Sequence, residues 1–282
     1  MNIIMEKYHG LGNDYLVLDP NKNDIKLTEE NIKLICHRNY GAGSDGILYG
    51  PIFEDDKIKV RIYNPDGSEA EKSGNGIRIF SRYLLDEGYI KGKTFLLNTL
   101  GGEVKVDYMD NEGHIIKVAM GKVTFISNEI PVGGEIREVV DESMIFNGEP
   151  YKATCLSIGN PHCVIQMDDI SEDIAKQIGP YVENSEYFPS RINLQIMKVI
   201  DRNNIQIEIY ERGAGYTLAS GSSSSAAASA AYKLGLVDSN IKVHMPGGEL
   251  EIEIMPDGMV FMTGSVNRIG RVKLAKEFTR QL

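Results

Sequence analysis

The chain has 282 residues, with 30 Lys and Arg against 40 Asp and Glu, a net charge of −10. That length suits two domains of ordinary size, each able to bury its own core. The acidic balance and the lack of any Lys/Arg-rich run argue against a nucleic-acid or anionic-membrane partner, and no apolar run is long enough to span a bilayer.

The N-terminal stretch Met1-Asn-Ile-Ile-Met-Glu-Lys7 lacks a basic region followed by an apolar core, so no signal peptide is expected and the cytoplasm is the default. Residues 4–8 and 15–19 read as strands about His9-Gly-Leu-Gly-Asn13-Asp14, a turn composition that also leaves the Asn13 amide a candidate pocket group. Leu27 to Arg38 has helical spacing with Thr28 as N-cap. Gly41 to Gly46 is a glycine-rich loop before the strand Ile47-Leu48-Tyr49, and it matches no phosphate cradle. Ile58, Val60 and Ile62 then alternate with Lys57, Lys59 and Arg61, a half-buried strand that leads through Asn64 to Gly76 into a helix ending near Gly88. Strands follow at 94–98, 103–108 and 115–119, and 120–148 reads as irregular.

Thr154 to Ile158, Gly159-Asn160-Pro161-His162 and the strand Cys163 to Met167 open the second half. A helix is expected over 170–182, interrupted at Gly179-Pro180. Phe188 to Asn193 precedes another strand. Ile205, Ile207 and Ile209 alternate with Gln206, Glu208 and Tyr210, then Glu211 to Ser222 opens a Ser/Ala-rich helix ending near Gly235. Strands are expected at 241–244, 250–254 and 260–263, with a last one over 269–278. Cys36, Cys155 and Cys163 show no metal spacing, and Cys163 reads as a buried, inert strand residue.

The two halves repeat one design. Ser73 and Ser220, Ile58 and Ile205, Gly88 and Gly235, and Asn13 and Asn160 are each 147 residues apart, and the two Gly-Gly-Glu turns at Gly101 and Gly247 are 146 apart. A period near half the chain means two similar lobes. Each Gly-rich turn opens a helix, whose first N–H groups and partial positive charge can hold an anion. Two such ends on one carboxylate would stabilise enolate charge at its α-carbon, and a group at each helix start could take and give a proton on opposite faces. That inverts a stereocentre without a cofactor.

The chain resembles the diaminopimelate epimerase family almost end to end. The resemblance rests on YHGLGNDYLVLD at Tyr8, YGAGSDGIL at Tyr40, NPDGSEAEKSGNGIRIFSRYL at Asn64, GNPHCVI at Gly159, FPSRIN at Phe188 and ERGAGYTLASGS at Glu211. It implies an α+β fold of two pseudo-symmetric lobes, each a curved, mainly antiparallel sheet around a central helix. The lobes would be residues 1–121 with 270–282, and 122–269, with the active site in the cleft between them. It further implies a homodimer, a small amino-acid substrate, no metal and no cofactor such as pyridoxal phosphate. By resemblance, Gly74, Asn75, Gly221 and Ser222 hold the reacting carboxylate through their N–H groups. Asn13 and Glu211 lie near the reacting amino group, and Asn64, Asn160, Asn193 and Arg212 hold the distal amino-acid end. His162 steadies the site or simply fills the core.

Ser73 and Ser220 occupy the positions of the family's two catalytic cysteines. A thiol ionises near ~8.5, whereas a serine hydroxyl needs a strong base partner. Tyr216, Ser223, Ser224 and Gly46 also depart from the family pattern. The readings are then epimerisation of LL-2,6-diaminopimelate to the meso form, racemisation of another amino acid such as histidine, or silent amino-acid binding, with the serines native or engineered. A fold relative using Glu69, Glu71 or Glu211 as a carboxylate base is a further reading.

Overall fold

The structure is a computed structural model that describes residues 3–282. Met1 and Asn2, the start of the stretch read for a signal peptide, lie outside the described residues. The chain folds as two compact α+β units, Met1–Val118 with Gly264–Leu282, and Ala119–Thr263. The expected boundaries at 121/122 and 269/270 contrast with breaks that fall inside strands, where alternation gives no sign of an edge.

The first unit runs β1 (Ile4–Gly10), β2 (Asn13–Leu18), α1 (Glu29–Cys36), β3 (Ile47–Glu54), β4 (Lys57–Tyr63), β5 (Glu69–Ala70), α2 (Gly74–Asp86), β6 (Thr94–Thr99), β7 (Gly102–Tyr108) and β8 (Ile115–Lys122). β1–β2, β3–β4, β4–β5, β6–β7 and β7–β8 are antiparallel, while β2–β3 and β4–β6 are parallel. The chain's last strand, Asn267–Lys273, closes this unit by pairing antiparallel with β1.

The second unit repeats the scheme. Its elements are β9 (Glu142–Phe146), β10 (Glu149–Ser157), β11 (Pro161–Gln166), α3 (Glu172–Glu183), β12 (Asn193–Asp201), β13 (Asn204–Glu211), β14 (Gly215–Thr217), α4 (Gly221–Lys233), β15 (Asn240–Met245), β16 (Gly248–Ile254) and β17 (Met259–Ser265). The parallel pairs are again two, β11–β12 and β13–β15, in the places of β2–β3 and β4–β6. Even the register repeats: Ile58 faces Leu97 and Ile205 faces Val243. The duplication read from spacing is thus present strand for strand.

Each repeat centres on its second helix. α2 packs on β1 to β3, and α4 packs on β10 to β13, β15 and β16. A helix enclosed this way has little use for a polar face. In α2 the buried set includes Ile77, Ile79, Phe80, Tyr83 and Leu84. In α4 it is mostly small: Ala226 to Ala228, Ala230, Ala231 and the serines. The buried hydroxyls of Ser224, Ser225 and Ser229 donate to carbonyls one turn back at 2.7–2.8 Å, so they need no outside partner. Both helices stop as their glycines predict, with Gly88 and Gly235 left-handed at φ +74° and +72°.

Three expectations need correction. The stretch 120–148 is not wholly irregular, because Ser143-Met-Ile-Phe146 alternates and pairs with β10 as β9. α3 runs through Gly179-Pro180 without a break. Gly179 serves packing there: a Cβ would sit 2.3 Å from the Tyr210 ring. The last strand ends at Lys273, and residues 276–279 turn into a short helix, α5 (Lys276–Thr279), where Pro-free, charged sequence no longer alternates.

Candidate active site

In the first unit, β5 delivers the chain to Ser73, which caps α2. Ser73 is extended, at φ −138° and ψ 118°, and its Oγ accepts from the Gly76 N–H at 3.0 Å. The N–H groups of Gly74 and Asn75 precede the first intrahelical bond, which runs from Ile77 to the Ser73 carbonyl. Asn75 is buried and donates to Asn13 Oδ1 at 3.1 Å, while Asn13 donates to Asp45 Oδ2 at 3.0 Å. Arg78, with no exposed surface, donates to Asn75 Oδ1 at 2.9 Å. Burial lowers its pKa to about 10, so it stays charged at neutral pH. Asn13, Asn75 and the helix start are therefore one assembly, fixed from behind by a buried cation. Replacing Arg78 by Met is expected to destabilise the fold by about 2–3 kcal/mol in urea unfolding, since Asn75 Oδ1 would lose its donor in a dry site. An unchanged midpoint would count against that assembly.

In the second unit β14 leads to Ser220, which caps α4 at φ −147° and ψ 128° and accepts from the Ser223 N–H at 3.4 Å. Gly221 and Ser222 stand where Gly74 and Asn75 do. Asn160 repeats Asn13: its amide approaches Ser222 Oγ at 3.5 Å. A chain continues through His162 Nε2 to Asn160 Oδ1 at 3.0 Å, His162 Nδ1 to Gln195 Oε1 at 3.2 Å, and Gln195 to Ser223 Oγ at 3.0 Å. His162 has no exposed surface, and burial lowers its pKa to about 3. A neutral imidazole has one N–H, so one of the two amides must turn its nitrogen towards the ring. His162 orients Asn160; it does not carry protons at ordinary pH.

Glu211 ends β13 beside this helix start. Burial raises its carboxyl pKa above the ordinary range, while the Ser220 and Thr217 hydroxyls interact with it and favour the ionised form. Asn193 Oδ1 accepts from the Arg212 N–H at 3.0 Å and its amide donates to Pro161 O at 2.7 Å. The Arg212 guanidinium reaches the Ser190 carbonyl at 3.0 Å and is otherwise exposed. Asn64 sits in an exposed turn, donating to Ser68 Oγ at 3.0 Å.

The departures from the family pattern also find places. Tyr216 donates to Glu208 at 2.6 Å, Ser223 accepts from Gln195, and Ser224 bonds the Ser220 carbonyl. Glu69 is held by a two-pronged contact from Arg61, at 3.0 and 2.6 Å, and Glu71 is exposed, which leaves Glu211 as the carboxylate at a helix start. Sequence reading missed Tyr15, Arg78 and Gln195. The repeat held a signal for the first, since Tyr15 lies 147 residues before His162.

The family model described as diaminopimelate epimerase matches residues 5–126 and 154–269. The chain belongs to the diaminopimelate epimerase family. Diaminopimelate epimerase 2 of a Nostoc species is 54% identical over 272 residues, covering 96% of this chain and 95% of that protein. Diaminopimelate epimerase of Moorella thermoacetica is 36% identical over 269 residues, covering 94% and 96%. The fold is shared with a solved probable proline racemase from Agrobacterium radiobacter at a TM-score of 0.71 and 14% identity, covering 97% of this chain and 93% of that one. The family is one of isomerases. No helix among the described residues is long and apolar enough to cross a membrane.

Proposed function

We propose that this chain epimerises LL-2,6-diaminopimelate to the meso form, a step of lysine and peptidoglycan-precursor synthesis, with Ser73 and Ser220 as its acid–base pair. The observation that carries the reading is the duplicated helix start. Each unit of this diaminopimelate epimerase family member presents a serine cap, two leading N–H groups and an asparagine bonded to the residue after the first glycine. For this reaction one substrate must reach both half-sites. Its reacting carboxylate takes the N–H groups of Gly74, Asn75, Gly221 and Ser222, which stabilise charge as the α-carbon loses its proton. Asn13 and Glu211 face the reacting amino group, and Asn64, Asn160, Asn193 and Arg212 take the distal end, where a guanidinium can grip a carboxylate with two parallel bonds.

Serine is the hard part of this chemistry, because its hydroxyl alone is too weak an acid to yield a base. Glu211 supplies what Ser220 lacks: as Ser220 accepts the α-proton, its own hydroxyl proton passes to the Glu211 carboxylate. The test is proton exchange in heavy water with LL-diaminopimelate, followed by NMR beside a Ser73→Cys/Ser220→Cys variant. The chain is expected to exchange the α-proton and form meso product. If only the variant does so, the serines silence the site and the chain binds its substrate without turning it over. If neither does, the substrate is a different amino acid.

A further inference from the structure

The second helix start has Glu211 as a proton partner for its serine. The first has Asn64 at the equivalent place, 147 residues earlier, and an amide cannot serve. A different group fills the need. The Tyr15 phenol lies 3.3 Å from Ser73 Oγ, on a side chain only 6% exposed. We propose that Tyr15 is the proton partner of Ser73, so that the chain works with a phenol behind one serine and a carboxylate behind the other; this rests on the epimerase reading above.

Two further observations support the pairing. Gly46 makes room for the ring: a Cβ there would stand 2.7 Å from Tyr15 Cε1 and 2.4 Å from the Tyr63 carbonyl. The equivalent position in the second unit is Asn193, and the place of Tyr15 is taken by His162, which turns to Asn160 and Gln195. Gly46 and Tyr15 thus depart together from the pattern of the other half.

The second observation is the count of donors and acceptors. A hydroxyl has one proton and two acceptor sites. Ser73 Oγ accepts from the Gly76 N–H at 3.0 Å. With the Tyr15 O–H donating to its other acceptor site, Ser73 is left to donate its own proton outwards, as an acid. Ser220 is poised the opposite way. Ser220 Oγ accepts from the Ser223 N–H at 3.4 Å and lies 3.4 Å from Ser222 Oγ; with its own proton turned to the Glu211 carboxylate, which can only accept, its second acceptor site is the one that receives the arriving proton.

The steps then balance. The α-C–H bond breaks, its proton goes to Ser220, and the Ser220 hydroxyl proton goes to Glu211. On the opposite face the carbanion takes the Ser73 hydroxyl proton, and the Tyr15 phenolic proton moves to Ser73. Glu211 ends as the neutral acid and Tyr15 as the phenolate. Loss of one proton to solvent and gain of one from it restore the resting pair.

The experiment uses Tyr15→Phe, which keeps the ring in the space beside Gly46 and removes only the hydroxyl. Stereoinversion is expected to fall about 100-fold, with loss of the alkaline limb of the pH–rate profile, while α-proton exchange on the Ser220 face persists. A hydroxyl that only filled space would leave that limb in place, and an unchanged inversion rate overturns the proposal. A second measurement needs no turnover. In a Ser73→Cys background the introduced thiol is titrated by thiolate absorbance with and without Tyr15→Phe. Loss of the Tyr15 donor is expected to raise the thiol pKa, and an unmoved titration overturns the pairing. If no diaminopimelate isomer is inverted by either chain but the thiol shifts, the pairing stands and the substrate assignment fails.

Discussion

Replacing Glu211 by Gln is expected to slow inversion about 1,000-fold, because an amide cannot receive the proton that Ser220 must shed. The pH profile should change with it. Burial lifts the Glu211 carboxyl above the ordinary range, and the group acts only when ionised. The rate of the parent chain therefore falls as pH drops through that raised pKa, at a higher pH than a free glutamate would give. In Glu211→Gln the remaining activity should lose this acid limb. Binding should change less than turnover, since Gln preserves shape and a hydrogen-bonding end; a rise in KM with kcat intact would instead mark Glu211 as a substrate-binding group.

The second large effect is on stability. His162 is neutral in the fold, with a pKa of about 3 against an ordinary 6.5. The unfolded chain therefore binds a proton first as pH falls. The stabilisation linked to this group is whole above about pH 6.5 and is lost progressively down to about pH 3. At ~1.36 kcal/mol per pH unit the loss is at most about 5 kcal/mol, with less than 3 kcal/mol of it reached by about pH 4.5. Urea midpoints at pH 7 and pH 4.5 read it directly. In His162→Gln the baseline should drop, because bonds to Asn160 and Gln195 are lost, but the difference between the two pH values should shrink. Equal differences in parent and variant would mean that other groups govern acid sensitivity.

Much of this arrangement was legible before any coordinates. Period-two alternation at Ile58 and Ile205 found the strands, glycines at 88 and 235 found the helix ends, and the 147-residue offset found the duplication. Those signals are local, or repeat at a fixed distance. What was not legible depends on contacts across the fold. Pro180 predicts a broken helix, yet packing of Tyr210 against Gly179 holds the turn in place. Arg78 looks like the polar face of an amphipathic helix until α2 proves enclosed. Tyr15 reads as one more aromatic in an apolar strand, and only its register against β1, with the gap at Gly46, aims the phenol at Ser73.

The strand Asn267–Lys273 pairs with β1 across more than 250 residues of intervening chain. During synthesis β1 leaves the ribosome long before this neighbour, and its edge stays open until the neighbour arrives. The second unit is continuous in sequence and has no such wait. Birth order and folding order are thereby reversed: the half begun later can close first, while the earlier half spends most of translation unfinished. Any pause or premature stop before residue 267 leaves that edge available to another nascent chain, so the seven residues Asn267–Lys273 decide whether β1 is protected or sticky.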